Sequence, residues 1–121
     1  MNPEQRPSWR EYWFKLAELV STRSTCPRAQ VGVVLVKDHR LIATGYNGAL
    51  PREPHCTEVG CMIEDNHCQT AIHAEVNAVA QAAKFGVAVL GATLFMYDSA
   101  GRTTPCRECT KVIKAAGVTI A

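Results

Sequence analysis

The segment ATLFMYDSAGRTTPCRECTKVIKAAGVTIA, residues 92–121, gives the clearest indication of the fold class. Residues 92–97 are mostly apolar or aromatic and predict a strand. After a polar loop, Pro105 suits the first turn of a helix that covers residues 105–116. Residues 118–121 predict the beginning of another strand. The segment therefore predicts strand, helix and strand in succession, which is the alternation of an α/β protein.

The upstream sequence extends the same alternation. Apolar residues recur at spacings of three and four within residues 8–22 and again within 71–85, which predicts two helices. Residues 31–36 and 41–46 predict two strands of a hairpin, joined by a polar turn. The order is then helix, hairpin, loop, helix, strand, helix and strand. This order predicts an α/β sandwich in which helices pack on a mixed sheet.

Residues 48–70 interrupt the pattern. They are rich in Pro, Gly, Cys and His and show no periodicity. A structureless loop of this length is uncommon in a compact domain. We therefore expect something other than a hydrophobic core to hold this loop in place.

Length and composition limit the classes of protein to consider. A chain of 121 residues allows one domain, 1–121, and 47% hydrophobic residues exclude wholesale disorder. No apolar run is long enough to cross a bilayer, and residues 1–10 lack the apolar region of a secretory signal, so the cytoplasm is the expected location. A net charge of +2 without a basic stripe predicts no polymeric nucleic-acid partner. In a reducing compartment, six cysteines favour metal ligation over disulfides.

Two short motifs supply the ligands of a candidate catalytic metal. HAE, residues 73–75, is predicted to begin one helix, and PCREC, residues 105–109, to begin the next. Cys106 and Cys109 share one helical face in a first turn, where the helix dipole is expected to lower their pKa values. With His73 they offer one imidazole and two thiolates. This set leaves the fourth tetrahedral position of zinc open, as in a catalytic site.

Glu75 completes the pattern. It lies two residues after the histidine and can hydrogen-bond a zinc-bound water without being a ligand. Each motif alone is a weak signal, because a Cys-x-x-Cys pair also fits a closed zinc clip or a thioredoxin-like redox pair. Their combination, with Pro105 before the first cysteine, is the signature of zinc-dependent base deaminases.

Longer pieces of the chain resemble the cytidine deaminase superfamily and, within it, the deoxycytidylate (dCMP) deaminases. The resemblance runs from about residue 23 to the end, and its marks are STCPR (24–28), VG (31–32), GYNG (45–48), HC (55–56 and 67–68), HAEVNA (73–78) and PCREC (105–109). The GYNG piece and the Cys/His-rich loop favour the dCMP branch over tRNA adenosine, riboflavin-pathway and free cytidine deaminases. The resemblance implies a three-layer α/β/α cytidine-deaminase-like sandwich with a mixed central sheet.

The resemblance also implies a reaction, the zinc-dependent hydrolysis of dCMP to dUMP and ammonia in pyrimidine deoxynucleotide metabolism. Carried over by position, His73, Cys106 and Cys109 hold the catalytic zinc. Glu75 takes a proton from the water and delivers protons to N3 and to the leaving amino group. Two alternatives stay open, a deaminase of another nucleotide, nucleoside or base, and a non-catalytic zinc-stabilised interaction protein. The presence of Glu75 argues against the second, because structure alone does not need that carboxylate.

Two residues are implied to bind the substrate. Asn47 corresponds to the position expected to hydrogen-bond the sugar. An Asn-Gly pair is also a turn signal, so a structural role for Asn47 stays open beside the binding role. Arg28 is the candidate for the 5′-phosphate, because a guanidinium suits a bidentate phosphate contact. The alternative for Arg28 is a solvated surface arginine.

Four cysteines lie outside the catalytic pattern, namely Cys26, Cys56, Cys61 and Cys68. One interpretation is four separate buried thiols that act as small apolar residues. The other, which the resemblance to some dCMP deaminases supports, is a structural zinc that clips the long loop to the start of the first strand. His67 is the substitute ligand for one of the cysteines. A closed four-ligand site would contribute folding free energy in place of the missing core.

Two features depart from the resemblance. The loop DSAGRTT, residues 98–104, is longer than the expected connection to the PCREC helix, which puts the selectivity for base or sugar in doubt. The sequence also stops at Ala121, where family members usually continue through another helix, so we expect a fold shortened at its C-terminus.

Assembly and regulation are the last expectations. An exposed final strand would leave backbone hydrogen-bonding groups unpaired at the edge of the sheet, where another chain can bind. The family also commonly forms oligomers, so we expect a homo-oligomer. Many dCMP deaminases are activated by dCTP and inhibited by dTTP. The resemblance raises the same expectation here, with Lys84 and Arg52 as candidate cations for the effector phosphates. An unregulated enzyme is the alternative.

Overall fold

The computed structural model describes residues 5–49, 52–61, 63–64, 67–68 and 71–121; for 63–64 and 67–68 it describes the backbone alone. The elements in these ranges are α1 (Trp9–Ser21), β1 (Val31–Lys37), β2 (Arg40–Tyr46), α2 (Cys56–Val59), β3 (Ile63–Glu64), β4 (His67–Cys68), α3 (Ala74–Lys84), β5 (Thr93–Asp98), α4 (Arg107–Ala115) and β6 (Thr119–Ile120). No described helix has the length and apolar character needed to cross a bilayer. The assignment of residues 1–121 to a single domain stays a prediction.

Four strands form a mixed sheet in the order β2-β1-β5-β6. Strand β1 runs antiparallel to both β2 and β5, whereas β5 and β6 are parallel. The hairpin turn between β1 and β2 places Asp38 and His39 at φ 53° and 58°, as a tight two-residue hairpin requires. Strands β3 and β4 form a separate antiparallel pair. The predicted α/β fold on a mixed central sheet is confirmed.

Helices cover both faces of this sheet. Val34 and Val36 of β1 pack with Trp13 of α1 on one face. Val33 and Leu35 point to the other face and join a core cluster that includes residues of α3 and α4. Because successive side chains alternate between faces, β1 is buried on both sides, as its continuous apolar sequence predicts. The result is the expected three-layer α/β/α sandwich.

Two glycines allow the helices to approach the sheet closely. A Cβ atom at Gly32 would overlap the backbone of α1, and one at Gly45 would overlap the backbone of α3 at Ala74 and Ala78. Only glycine leaves room for backbone contact of this kind. At Gly45 the contact sets the first turn of α3 directly against the end of β2.

The structure corrects three sequence-based expectations. Helix α3 begins at Ala74 and helix α4 at Arg107, later than the predicted starts at 71 and 105, because His73 and Cys106 are extended N-cap residues. Pro105 therefore precedes the helix and does not lie in its first turn. The segment 48–70 is not structureless either, since it contains α2 and the short pair of β3 and β4.

Candidate active site

His73, Cys106 and Cys109 converge at the N-terminal ends of α3 and α4. Their ligand atoms all lie within 4.8 Å of one another, and no other group of three such ligands is found among the side chains described. The Nδ1 atom of His73 is 3.1 Å from the Sγ atom of Cys109 and 3.5 Å from the Sγ atom of Cys106. One imidazole and two thiols are a donor set that zinc accepts with a fourth position left open. The three residues therefore fit a zinc ion.

The topology explains why the ligands meet. Strands β2 and β5 both run antiparallel to β1, so they point in the same direction. On the chain, α4 follows β5 directly. The segment between β2 and α3 is longer and contains α2, β3 and β4, but Gly48 just after β2 pairs with Ile72 just before α3, so both helices begin at the same edge of the sheet. His73 and Cys106 are the N-caps of these helices, and Cys109 is the third residue of α4. Ligands of α/β proteins commonly bind at this edge, beyond the carboxyl ends of the strands.

Glu75 lies in the first turn of α3 and is only 4% exposed. Burial raises the pKa of the Cys109 thiol well above its ordinary range, and the charge and hydrogen bonding of Glu75 raise it further. Burial and the carboxylate thus act against the expected lowering of the Cys109 pKa by the helix dipole, which stays a prediction. A divalent cation among these ligands supplies the opposite charge that deprotonates a coordinating thiol.

A cavity of about 380 Å³ opens beside these residues. Its lining includes His73, Glu75 and Cys106, together with Met96 of β5 and Asn47. Pockets for small-molecule ligands typically range from about 300 to 1,000 Å³. The cavity thus has the size of a small-ligand site and has the candidate metal ligands in its wall.

Asn47 lines the cavity, and its side chain hydrogen-bonds to neighbouring segments of the chain. Its Oδ1 atom accepts hydrogen bonds from the backbone N–H of Val31 at 2.9 Å and from the hydroxyl of Ser24 at 2.5 Å. Its Nδ2 atom donates to the carbonyl oxygen of Ala29 at 2.8 Å. Asn47 therefore has a structural role, which the Asn-Gly turn signal did not describe. The sugar contact stays a prediction.

Arg28 lines the same cavity and is exposed. It forms no ion pair with any residue in the described part of the chain. Its position is compatible with the predicted phosphate contact, which stays a prediction.

Sequence reasoning missed two residues of the cavity wall, Asp98 and Arg102. Asp98 ends β5 and Arg102 lies in the connection that follows it; the unusual length of the segment 98–104 was the only available signal. The Nε–H of Arg102 donates to the Oδ2 atom of Asp98 at 2.7 Å. This ion pair holds the loop that departs from the family pattern in a defined conformation.

The predicted second zinc site lies partly outside the residues whose side chains are described. Cys26 and Cys56 are buried, and the backbone N–H of Thr57 donates to the carbonyl oxygen of Thr25 at 3.1 Å, which joins their segments. Cys61 is half-buried. The side chains of Cys68 and His67 lie outside the described set.

His55 is an additional candidate ligand that the sequence reasoning did not select. Its Nδ1 atom is buried and has no hydrogen-bond partner in the described part of the chain. A buried polar atom without a partner is costly, and a metal ion is one way to satisfy it.

Comparison with known proteins agrees with this site. A family model described as the cytidine and deoxycytidylate deaminase zinc-binding region matches residues 7–120. The chain is 43% identical to ComE operon protein 2 of Bacillus subtilis over 94% of this chain and 58% of that protein. It is 37% identical to the deoxycytidylate deaminase of Saccharomyces cerevisiae over 98% of this chain and 38% of that enzyme. The chain thus spans less than two thirds of the length of these relatives.

A solved structure shows the same architecture. The dCMP deaminase of the cyanophage S-TIM5, crystallised with dCMP and dUMP, is 36% identical and superposes with a TM-score of 0.76 over 98% of this chain and 79% of that chain. The fold and the ligand set define a zinc-binding α/β protein. The chain belongs to the cytidine and deoxycytidylate deaminase zinc-binding family.

Proposed function

We propose that this protein is a zinc-dependent hydrolase that converts dCMP and water into dUMP and ammonia. The observation that carries the proposal is the buried carboxyl of Glu75 beside the ligand set of His73, Cys106 and Cys109 in one cavity. The names of the yeast and cyanophage relatives support dCMP as the substrate. We place the reaction in pyrimidine deoxynucleotide metabolism and in the cytoplasm.

The mechanism assigns proton transfer to Glu75. His73, Cys106 and Cys109 would hold the zinc, which when bound lowers the pKa of a coordinated water toward about 7. Glu75 takes a proton from the attacking water and passes it to N3 of the cytosine, and then takes a second proton from the new hydroxyl on C4 and passes it to the amino group. A C4–O bond forms, the C4–N bond breaks, and nitrogen leaves as ammonia. Burial keeps the carboxyl out of bulk water and inside the cavity, where this proton is needed.

Asn47 and Arg28 bind the rest of the substrate in this proposal. The amide of Asn47 has two N–H donors, and one is used by Ala29. The second N–H is available for a sugar hydroxyl. Arg28 supplies positive charge on the same cavity wall for the 5′-phosphate.

The test is an ammonia-release screen with zinc-loaded protein over cytosine, cytidine, deoxycytidine, dCMP, dCTP and guanine. We expect dCMP to have the highest kcat/KM, at least about tenfold above deoxycytidine, because a charged hydrogen bond to phosphate adds binding energy. A higher value for another compound would make the protein a deaminase of that compound. No ammonia from any compound would favour the non-catalytic interaction protein.

A structural zinc in the long loop is part of the proposal. Cys26, Cys56, Cys61 and Cys68 are its ligands, with His67 as the substitute, and the burial of Cys26 and Cys56 supports it. The buried and unpartnered Nδ1 atom of His55 makes this histidine a further candidate. Such a site would bind the loop to the segment that precedes β1.

Assembly into a homo-oligomer regulated by dCTP and dTTP is also proposed. The exposed apolar side chains of Phe85, Leu90 and Val112 support a subunit contact, because large apolar groups favour burial. Lys84 is exposed at the end of α3, and Arg52 is exposed in the loop, so both are accessible to effector phosphates.

A dCMP saturation curve tests this regulation. Without effector we expect a sigmoid curve, which becomes hyperbolic with dCTP, because the effector binds one of two subunit arrangements better. Lys84→Gln should reduce the dCTP response, whereas the exposed Lys15→Gln on α1 should not. Identical hyperbolic curves with and without dCTP would indicate an unregulated enzyme.

A further inference from the structure

The carboxylate of Asp98 is buried at the point where β5 enters the cavity wall. Its side chain is only 2% exposed, whereas that of Arg102 is 64% exposed. The Oδ1 atom of Asp98 accepts the backbone N–H of Ala100 at 2.7 Å, and its Oδ2 atom accepts the Nε–H of Arg102 at 2.7 Å. Because a buried carboxylate needs such partners, this aspartate fixes both the turn of the loop and the direction of the arginine.

Further hydrogen bonds hold the loop against the segment that precedes β1. The backbone N–H of Gly101 donates to the carbonyl oxygen of Asp98 at 2.9 Å, and Gly101 has a φ of 86°. Ser99 and Gln30 exchange two hydrogen bonds, from the N–H of Ser99 to the carbonyl of Gln30 at 2.9 Å and from the N–H of Gln30 to the hydroxyl of Ser99 at 2.8 Å. The loop 98–104 is therefore joined to the segment that carries Arg28.

Arg102 keeps most of its hydrogen-bonding capacity. A guanidinium has five N–H donors in one plane, and the contact with Asp98 uses only the Nε–H. The terminal nitrogens make no hydrogen bond to any residue of the described ranges, and Arg102 lines the cavity. A guanidinium whose Nε is fixed and whose terminal donors remain available is suited to bidentate binding of a phosphate.

Asp98 and Arg102 have no net charge as a pair. Arg102 therefore contributes directed hydrogen bonds more than long-range attraction, whereas Arg28, which also lines the cavity, contributes net positive charge. Directed hydrogen bonds distinguish ligands better than attraction at a distance does, because a ligand without the matching group leaves donors unpaired.

We propose that Arg102 binds the 5′-phosphate of the nucleotide and sets the preference for the nucleotide over the nucleoside, with Asp98 as its positioning residue. The proposal rests on the proposed function, since it assigns the phosphate contact in that same cavity. The loop that departs from the family pattern then binds the phosphate together with Arg28.

The experiment compares Arg102→Ala, Arg102→Lys and Asp98→Asn with the wild-type protein. Arg40→Ala is the matched control, because Arg40 is an exposed arginine of β2 outside the cavity. The measurements are kcat and KM for dCMP and deoxycytidine, and calorimetric binding of dUMP and deoxyuridine.

We expect Arg102→Ala to raise KM for dCMP about ten- to a hundredfold, the range for loss of charged hydrogen bonds. The value of kcat for dCMP and the kcat/KM for deoxycytidine should change less than about threefold. Arg102→Lys keeps the charge but loses the planar fork, so a large part of the loss should remain. Asp98→Asn should shift the dCMP-to-deoxycytidine ratio in the same direction, and Arg40→Ala should leave it unchanged.

Equal losses for dCMP and deoxycytidine, or no change for either, would overturn the proposal while the proposed function still holds. Thermal unfolding and zinc content identify misfolded variants. If Arg102→Ala does not fold, the dCMP-to-deoxycytidine ratio of kcat/KM in Arg102→Lys and Asp98→Asn is the deciding measurement.

If the wild type does not deaminate dCMP, the proposed function fails, and the calorimetric binding data then test the inference. Tighter wild-type binding of dUMP than of deoxyuridine, lost in Arg102→Lys, supports it, and equal binding overturns it.

Discussion

Glu75→Gln is expected to lower kcat for dCMP by at least about a hundredfold, because the amide cannot accept the proton that the carboxylate transfers. Glutamine has nearly the same shape, so the cavity should keep its form. Glu75 is not one of the three ligands that converge, so the zinc content should not fall. The measurements are steady-state kinetics, metal analysis and thermal unfolding on the same preparation.

Glu108→Gln is the matched control for this variant. Glu108 lies on α4 between the two cysteines. Its side chain is 80% exposed, and within the described part of the chain it forms only a surface ion pair with Lys111. Its replacement should leave kcat within about twofold, since exposed pairs contribute little. Near-normal turnover in Glu75→Gln would contradict the assignment of proton transfer to Glu75.

The sequence predicted the fold and the catalytic ligand set because both depend on local patterns. The continuous apolar strand at 31–36 predicts burial on both faces, and the observed strand is packed by helices on both. The predicted starts of α3 and α4 are three and two residues too early, but the alternation of strands and helices still brings the HAE and PCREC motifs to one edge. These inferences need no knowledge of how distant loops fold.

Interactions between distant segments were not predictable in the same way. The conformation of the loop 98–104 depends on Gln30, which is 69 positions away from Ser99 in the sequence. No local pattern encodes that contact, so the position of the loop beside the segment that precedes β1 emerged only in the folded chain. The pKa of Cys109 is a similar case, because the helix-dipole rule is local whereas burial is a property of the whole packing.

Metal analysis of two cysteine variants is expected to separate a catalytic from a structural zinc. We predict two zinc ions per wild-type chain, on the basis of the ligand set at Cys109 and the proposed site at Cys56. Cys109→Ser should reduce the count to one and abolish deamination, because a catalytic ligand is lost while Glu75 remains. Cys109 is 2% exposed, so the serine also tests whether the buried position tolerates a hydroxyl.

Cys56→Ser is the counterpart, since Cys56 is also 2% exposed but lies in α2, outside the catalytic ligand set. It should reduce the count to one as well, yet keep deamination at moderate temperature and lower Tm by at least about 5 °C, because a structural zinc contributes folding free energy. One zinc per wild-type chain, with an unchanged Tm in Cys56→Ser, would reject the structural site. Full zinc content and activity in Cys109→Ser would reject the catalytic one. Because the two substitutions are chemically identical and equally buried, the loss of one zinc ion in each variant together with opposite effects on activity and Tm assigns each thiol to its site.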